Sequence, residues 1–459
     1  MPDLFTAVNP ATGQKLTEYQ YTTKEKLNDI IERSYSSYER QKDVDYKQRV
    51  TKLRKLADLL EERIDELAKI ITDEMGKPYH GSKGEIQKCA KHARFYADKA
   101  EEFLTPKQVK TEAKATYIRF DPIGPIYQMI PFNFPFWLAI KSAIPILLAG
   151  NTIIHRNAKT VPDAGIALEK LFIDAGFDDD EFLNVFTNHE QTDEILAHPK
   201  VRGTTFTGST KAGAKIAASA GKNLKKCVME LGGSDAVVVL DDADPDEAAE
   251  IAIASRMRNG GQTCTAGKRF IVDAKVYDQF IEKLIPKVRE FKMGDPYEED
   301  TQLGPMSSKD VLNTLVDQLE KGVKGGAKIL LEGGPAKEEK FSGGYYFRPV
   351  IAEVTEDNIL FTEETFGPIF AVIKAKNEKD ALRIANNSIY GLGAVVISKD
   401  RARAEKFAVK LEAGTVSINK SVNSDSRLPS GGVKGSGFGR ECGEWGIYEF
   451  ANIKTVWVE

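Results

Sequence analysis

Cysteine and histidine are scarce in this chain, four and five among 459. Cys89, Cys227, Cys264 and Cys442 are scattered with no Cys-x-x-Cys pair. That speaks against a disulfide framework or a structural zinc site and fits a reducing cytoplasm. The histidines show no His-x-x-x-His spacing, so no catalytic metal is indicated. Long apolar runs are also missing: the longest, PFWLAIKSAIPILLAG, is broken by Lys141 and is too short for a bilayer. The opening residues, MPDLFTAVNPATGQ, have neither the basic start nor the apolar stretch of a signal peptide. A net charge of -4 leaves no basic footprint for nucleic acid or an anionic membrane. There is no short-period repeat, no low-complexity linker and no Gly-x-Gly-x-x-Gly where a dinucleotide-binding unit needs it. What remains is an ordinary globular composition on a chain too long for one simple core. Two or three domains with an intimate interface are expected.

The hydrophobic pattern gives those domains a class. The first hundred residues read as helices, with apolar positions every three or four residues through DYKQRVTKLRKLADLLEERIDELAKIITDEMG. VKTEAKATYIRFDPIGPI then alternates like strands. From residue 126 short β-rich runs (IYQMI, NTIIHR, RGTTFTG, KKCVMEL, DAVVVL) are separated by helical segments such as KAGAKIAASAG. A second series follows Cys264: KRFIVD, AKILLEG, IFAVIKA, GAVVIS and TVSIN. Such alternation predicts α/β architecture, two doubly wound parallel sheets with helices on both faces. The last residues, NIKTVWVE, read as one more strand.

Five stretches carry chemistry. TTFTGSTKAGAKI sets Gly208 and Ser209 between a strand and a helix, with Gly213 in the helix's first turns. Helix amides and close backbone approach there suit a phosphate, although turn and packing glycines look the same. Arg156 and Lys159 end the strand GNTIIHR, where parallel sheets bind ligands. They are either solvated surface cations or partners for a ribose 2′-phosphate. RNGGQTCTAGKRF places Cys264 at an open helix-to-strand junction. A thiol titrating near 8.5 needs charge, dipole or a base to become a useful nucleophile. MELGG supplies Glu230, a candidate general base if it faces an apolar cleft, beside a Gly-Gly read as leaving space in front of it. IPFNFPFW supplies Asn133, an amide held by prolines and aromatics as an oxyanion donor would be. Each has a plainer alternative: Glu230 as a salt-bridge partner, Asn133 as a turn former.

Taken in order, PFNFP, FTGS, MELGG, GQTC, EETFGPI and SGGVKGSGFGRE resemble the aldehyde dehydrogenase superfamily over essentially the whole chain. KKCVMELGGSDAVVVLDDAD and FGRECGEWGIYEFANIKTVW look most like its bacterial succinate-semialdehyde dehydrogenase branch. The resemblance implies a Rossmann-like cofactor domain from 1–103, 124–231 and 426–446, a catalytic domain from 232–425, and an oligomerisation arm from 104–123 and 447–459. It further implies a homodimer or homotetramer, with the last strand joining a neighbour's sheet. Residue by residue it makes Cys264 the nucleophile, Glu230 the base, and Asn133 with the Cys264 amide the oxyanion hole. Ser209 would meet the pyrophosphate, with Gly208, Gly213 and Leu231 in the same cofactor site. Glu364 would bond the nicotinamide ribose and Phe366 would pack beside the ring; Lys268 receives no role. The implied reaction oxidises a small aldehyde to an acid through a thiohemiacetal and a thioester on Cys264.

Three departures from the family pattern bear on specificity. Arg156-Asn157-Ala158-Lys159 lacks the acidic residue that would repel a 2′-phosphate, which favours NADP, with NAD as the alternative. Lys141 stands where an arginine is expected to hold a substrate carboxylate. Ser430 replaces a common phenylalanine, making the pocket more polar, and Arg427 is placed near it. Succinate semialdehyde is the leading substrate and a hydroxyaldehyde such as glyceraldehyde its competitor. Acyl transfer to coenzyme A is disfavoured because Glu230 is present, and an inactive structural role because Cys264 is.

Overall fold

A computed structural model describes residues 4–459, and two sheets set the positions of everything else. The first runs, edge to edge, Gly437–Phe438, Lys226–Glu230, Gly203–Thr207, Pro125–Ile130, Thr152–Asn157 and Phe182–Asn184. All neighbours are parallel except Gly437–Phe438, which pairs antiparallel with Lys226–Glu230. The second orders Lys328–Leu331, Val350–Glu353, Ile369–Ala375, Gly267–Asp273, Asp235–Val239, Gly393–Ile397 and Thr415–Ile418. It too is parallel but for its first strand.

Strand alternation accounts for cover on both faces. In Pro125–Ile130, Ile126 and Ile130 join the core beneath the helices Tyr46–Glu62 and Tyr79–Leu104, while Tyr127 and Met129 join the opposite core against Lys24–Gln41. In Asp235–Val239, Ala236 and Val238 enter one core and Val237 and Val239 the other. With every position of such a strand buried, a near-continuous apolar run is what the fold requires. A third, antiparallel sheet joins Ala451–Val458, Ala115–Pro122 and Lys107–Gln108. No helix among the described residues is long and apolar enough to cross a membrane.

Two expectations need correction. The chain does not begin with helices: Leu4–Val8 and Lys15–Gln20 form an antiparallel hairpin, and the helices start at Lys24. Its strands are short, and the turn between them is closed by Gly13, whose φ is 72° and whose N–H donates to the Asn9 carbonyl at 2.8 Å. Phe5 stacks on Tyr19 with ring centres 5.5 Å apart, which holds the pair together. Val350–Glu353, an interior strand of the second sheet, was also absent from the strands read in sequence. Pro349 at its mouth and its four-residue length hide it.

Candidate active site

The carboxyl end of the first sheet and the segments that lead into the second sheet's strands enclose a cavity of about 380 Å³. Asn133, Lys141, Glu230, Cys264 and Ser430 line it, together with Lys88 and Arg258, to which the sequence reading gave no role.

Cys264 comes from the second sheet's side. The helix Pro245–Arg256 ends, and Asn259, Gly260 and Gly261 follow with φ of 54°, 61° and 76°. Three successive left-handed residues turn the chain sharply back before the strand Gly267–Asp273. A Cβ on Gly261 would strike the Gly367 carbonyl, so that position takes no larger residue. Lys268, fully buried, donates from Nζ to the carbonyls of Thr263 at 2.9 Å and Cys264 at 2.7 Å, and lies 3.3 Å from Glu364. It therefore clamps the cysteine loop to the Glu364 segment. A lysine and an arginine side by side in an otherwise apolar strand were the signal for this, since buried charges must be bonded. Burial pushes the half-buried Cys264 thiol's pKa up, while Lys268 and Lys141 pull it back.

Asn133 and Glu230 come from the first sheet's side. Asn133 sits between the strand Pro125–Ile130 and the helix Trp137–Leu148. The buried carboxylate of Glu85 accepts from the N–H groups of Phe136 and Trp137, both at 3.0 Å, and pairs with Lys77, fixing the loop after Asn133. Asn133 Nδ2 donates to the Gln262 carbonyl at 3.0 Å, and Asn259 Nδ2 donates to the Asn133 carbonyl at 3.0 Å. One amide hydrogen thus orients Asn133 and leaves the second for a ligand. Glu230 ends its strand 5% exposed, and its Oε1 has no hydrogen-bond partner. Burial raises its pKa to about 7; Lys141 works against the rise and Glu441 adds to it.

Lys141 corrects the sequence reading. Its Nζ lies 2.5 Å from Glu441 and 3.9 Å from Glu230, and the residue is 4% exposed. An ammonium so engaged balances two buried carboxylates and is not held in reserve for substrate. Glu441 joins it from a segment whose backbone bridges Ser430, the Ser430 N–H reaching the Glu441 carbonyl at 2.7 Å. Arg427 corrects it again: exposed, bonded through Nη2 to Asp425 at 2.7 Å, it does not line the cavity. The Gly232-Gly233 pair leaves no open space either. Its glycines let the second sheet approach: a Cβ on Gly232 would strike Glu364, and one on Gly233 would lie 2.8 Å from the Cys264 carbonyl. The Gly233 N–H donates to Glu364 Oε1 at 3.1 Å.

The cations near the cysteine fall into two kinds. Arg258, six residues before Cys264, is half-buried; its Nη1 donates to Asn423 Oδ1 at 3.0 Å and its Nη2 to Thr265 Oγ1 at 3.1 Å, both neutral acceptors. Burial lowers its pKa. It stood inside the motif that drew attention to Cys264, and an arginine beside a nucleophile was the available signal.

Away from the cavity, the first sheet offers donors for a nucleotide. Exposed Ser209 caps the helix Thr210–Lys222, its Oγ accepting from the Ala212 N–H at 3.3 Å, and the first turn holds no acidic residue. Gly208 stands beside it, half-buried at the end of the strand Gly203–Thr207. Gly213 and Leu231 pack on each other, seating that helix against the sheet. Lys159 is exposed beyond the strand Thr152–Asn157, whereas Arg156 spends its Nε on the Thr187 carbonyl at 3.0 Å. Half-buried Phe366 meets Phe132 edge-on, ring centres 5.9 Å apart. A helix amino end for a pyrophosphate, an exposed lysine for a further phosphate and the Glu364 carboxylate to accept from ribose hydroxyls make a set of groups that fits a dinucleotide.

Comparison with known proteins agrees with this geometry. A family model described as the aldehyde dehydrogenase family matches residues 2–456. A probable NADP-dependent succinate-semialdehyde dehydrogenase of Synechocystis is 39% identical, over 98% of this chain and 99% of its own. The Escherichia coli enzyme Sad, named a succinate semialdehyde dehydrogenase using NAD(P), is 38% identical over 98% of this chain and 97% of its own. Among solved structures, the Streptococcus pyogenes succinic semialdehyde dehydrogenase in complex with NADP superposes with a TM-score of 0.96 at 35% identity, covering 99% of both chains.

Proposed function

This chain belongs to the aldehyde dehydrogenase family, and from that premise we propose that it oxidises succinate semialdehyde to succinate with NADP. The observation that carries the substrate is Arg258: a half-buried guanidinium in the cavity of Cys264, whose hydrogen bonds among the described residues go to an amide and a hydroxyl, suits an aldehyde bearing a distal carboxylate. The names of the relatives in Synechocystis, Escherichia coli and Streptococcus pyogenes support the same reading.

Cys264 attacks the aldehyde carbon as its thiolate, the thiol proton having left to solvent and Lys268 and Lys141 favouring the charge. The oxygen that becomes an alkoxide is met by the free Asn133 amide hydrogen and the Cys264 N–H. When bound, NADP supplies the hydride acceptor that turns the adduct into a thioester. The Ser209 helix, Lys159, Glu364 and Phe366 would hold it. Glu230, with one oxygen unbonded, then takes a proton from the water that cleaves the thioester. Lys141 keeps that carboxylate titrating near neutrality instead of higher.

In the same reading the first sheet and its helices form the cofactor domain and the second the catalytic domain. The third sheet serves as an oligomerisation arm: Ile453, Trp457 and Val458 of its edge strand are 55%, 54% and 42% exposed, which suits pairing into a homo-oligomer. Four free cysteines fit residence in the cytoplasm.

The test is absorbance at 340 nm over a matrix of NADP and NAD against succinate semialdehyde, glyceraldehyde and butanal, without coenzyme A. The highest kcat/KM for succinate semialdehyde with NADP is expected. Preference for glyceraldehyde or butanal would reject the substrate, and dependence on coenzyme A would reject hydrolysis.

A further inference from the structure

Lys88 has no part in the chemistry above. It projects from the helix Tyr79–Leu104 into the cavity, its ammonium 4.0 Å from the centre of the Trp137 ring. It donates to Asn423 Oδ1 at 3.2 Å and Ser424 Oγ at 2.9 Å. Asn423 Oδ1 also accepts from Arg258 at 3.0 Å, so two cations from separate elements converge on one neutral oxygen. The carboxylate of that loop, Asp425, is taken by Arg427 at 2.7 Å. The other lysines of the cavity are matched: Lys77 with Glu85, Lys141 with Glu441 and Glu230. Burial, reinforced by Arg258 and Lys141, lowers the Lys88 pKa to about 8, as expected of a cation short of counter-charge. A carboxylate in place of the amide oxygen would answer both cations with charge-assisted bonds.

We propose that Lys88, together with Arg258, binds the carboxylate at the far end of the substrate, Asn423 Oδ1 occupying that place until substrate enters. The proposal rests on the reading of the substrate as succinate semialdehyde and assigns the ligand class as short ω-oxo acids. Lys88 is a specificity residue: its contact lies away from the reacting carbon and is made equally in ground and transition states. Its loss therefore falls on KM more than on kcat.

Lys88→Met keeps an unbranched stem over Trp137 and removes the charge; Lys88→Gln removes it while keeping a polar end. Steady-state kinetics with NADP compare succinate semialdehyde with butanal, its neutral four-carbon counterpart. KM for succinate semialdehyde should rise about tenfold or more in both variants. The loss of kcat/KM on butanal should be at least about tenfold smaller, and Lys88→Arg should recover most of the selectivity. Equal losses on both aldehydes would make Lys88 a packing residue and overturn the assignment, as would an unchanged KM. The wild-type enzyme separates the two readings. If it prefers butanal, the substrate reading itself falls; if it prefers succinate semialdehyde while the variants do not differ from it, only the role of Lys88 falls.

Discussion

The cavity has two walls that treat cations differently. Around Cys264 and Glu230 each buried lysine has a carboxylate within reach, Lys141 with Glu441 and Lys268 with Glu364. Toward the mouth, Lys88 and Arg258 have amide and hydroxyl oxygens instead. Paired cations hold loops and tune their carboxylates. Unpaired ones keep charge for something that arrives. On the proposed reading, chemistry and selectivity are lodged in different residues of one pocket, and each wall can be altered with the other left as a control.

The largest break is Cys264→Ala. Turnover should fall by about 10⁴-fold or more with every aldehyde, followed at 340 nm, while NADPH still binds by its fluorescence. Appreciable turnover would move the chemistry elsewhere. Next, Glu230→Gln should lower steady-state rate by about 10²–10³-fold while a burst of NADPH, near one per site, survives in rapid mixing. An undiminished steady state would end the role of Glu230 in hydrolysis. Smaller again, Arg258→Leu should cut kcat/KM for succinate semialdehyde about 30-fold more than for butanal. A matched fall would show that Arg258 merely steadies the loop through Thr265. The smallest effect is a pH shift. Glu230 must be ionised to act as a base, so the thioester-cleaving rate should rise with pH through about 7. The double change Lys141→Met with Glu441→Gln removes the charge that favours ionised Glu230 without orphaning Glu441, and the midpoint should move upward. A midpoint that stays put or falls would mean that Lys141 does not tune Glu230.

Local signals were legible in the sequence. The apolar runs became strands because a doubly covered parallel sheet buries both faces, as Ile126, Tyr127 and Val237 do. Cys264, Glu230 and Asn133, which the fold brings to one cavity, could be singled out because each sits in a short motif whose chemistry shows locally. Long-range charge matching was not legible. Lys141 reads as a free cation until Glu441, brought back beside Ser430, meets it. Gly232 and Gly233 read as empty space until the fold carries Glu364 up against them. The partners that decide these cases lie 300 residues away for Lys141 and 132 for Gly232, and nothing local marks them.

The hydrogen bond from Asn133 to Gln262 joins residues 129 apart in sequence and belonging to different sheets. The proposed oxyanion donor, Asn133, and the proposed nucleophile, Cys264, are therefore absent as a pair from either half alone. Catalysis works as a clock for refolding: secondary structure can return first, but the first molecule of NADPH waits until the halves have docked in register. A refolding time course that compares far-ultraviolet circular dichroism with regained activity should show a lag whose length measures docking alone.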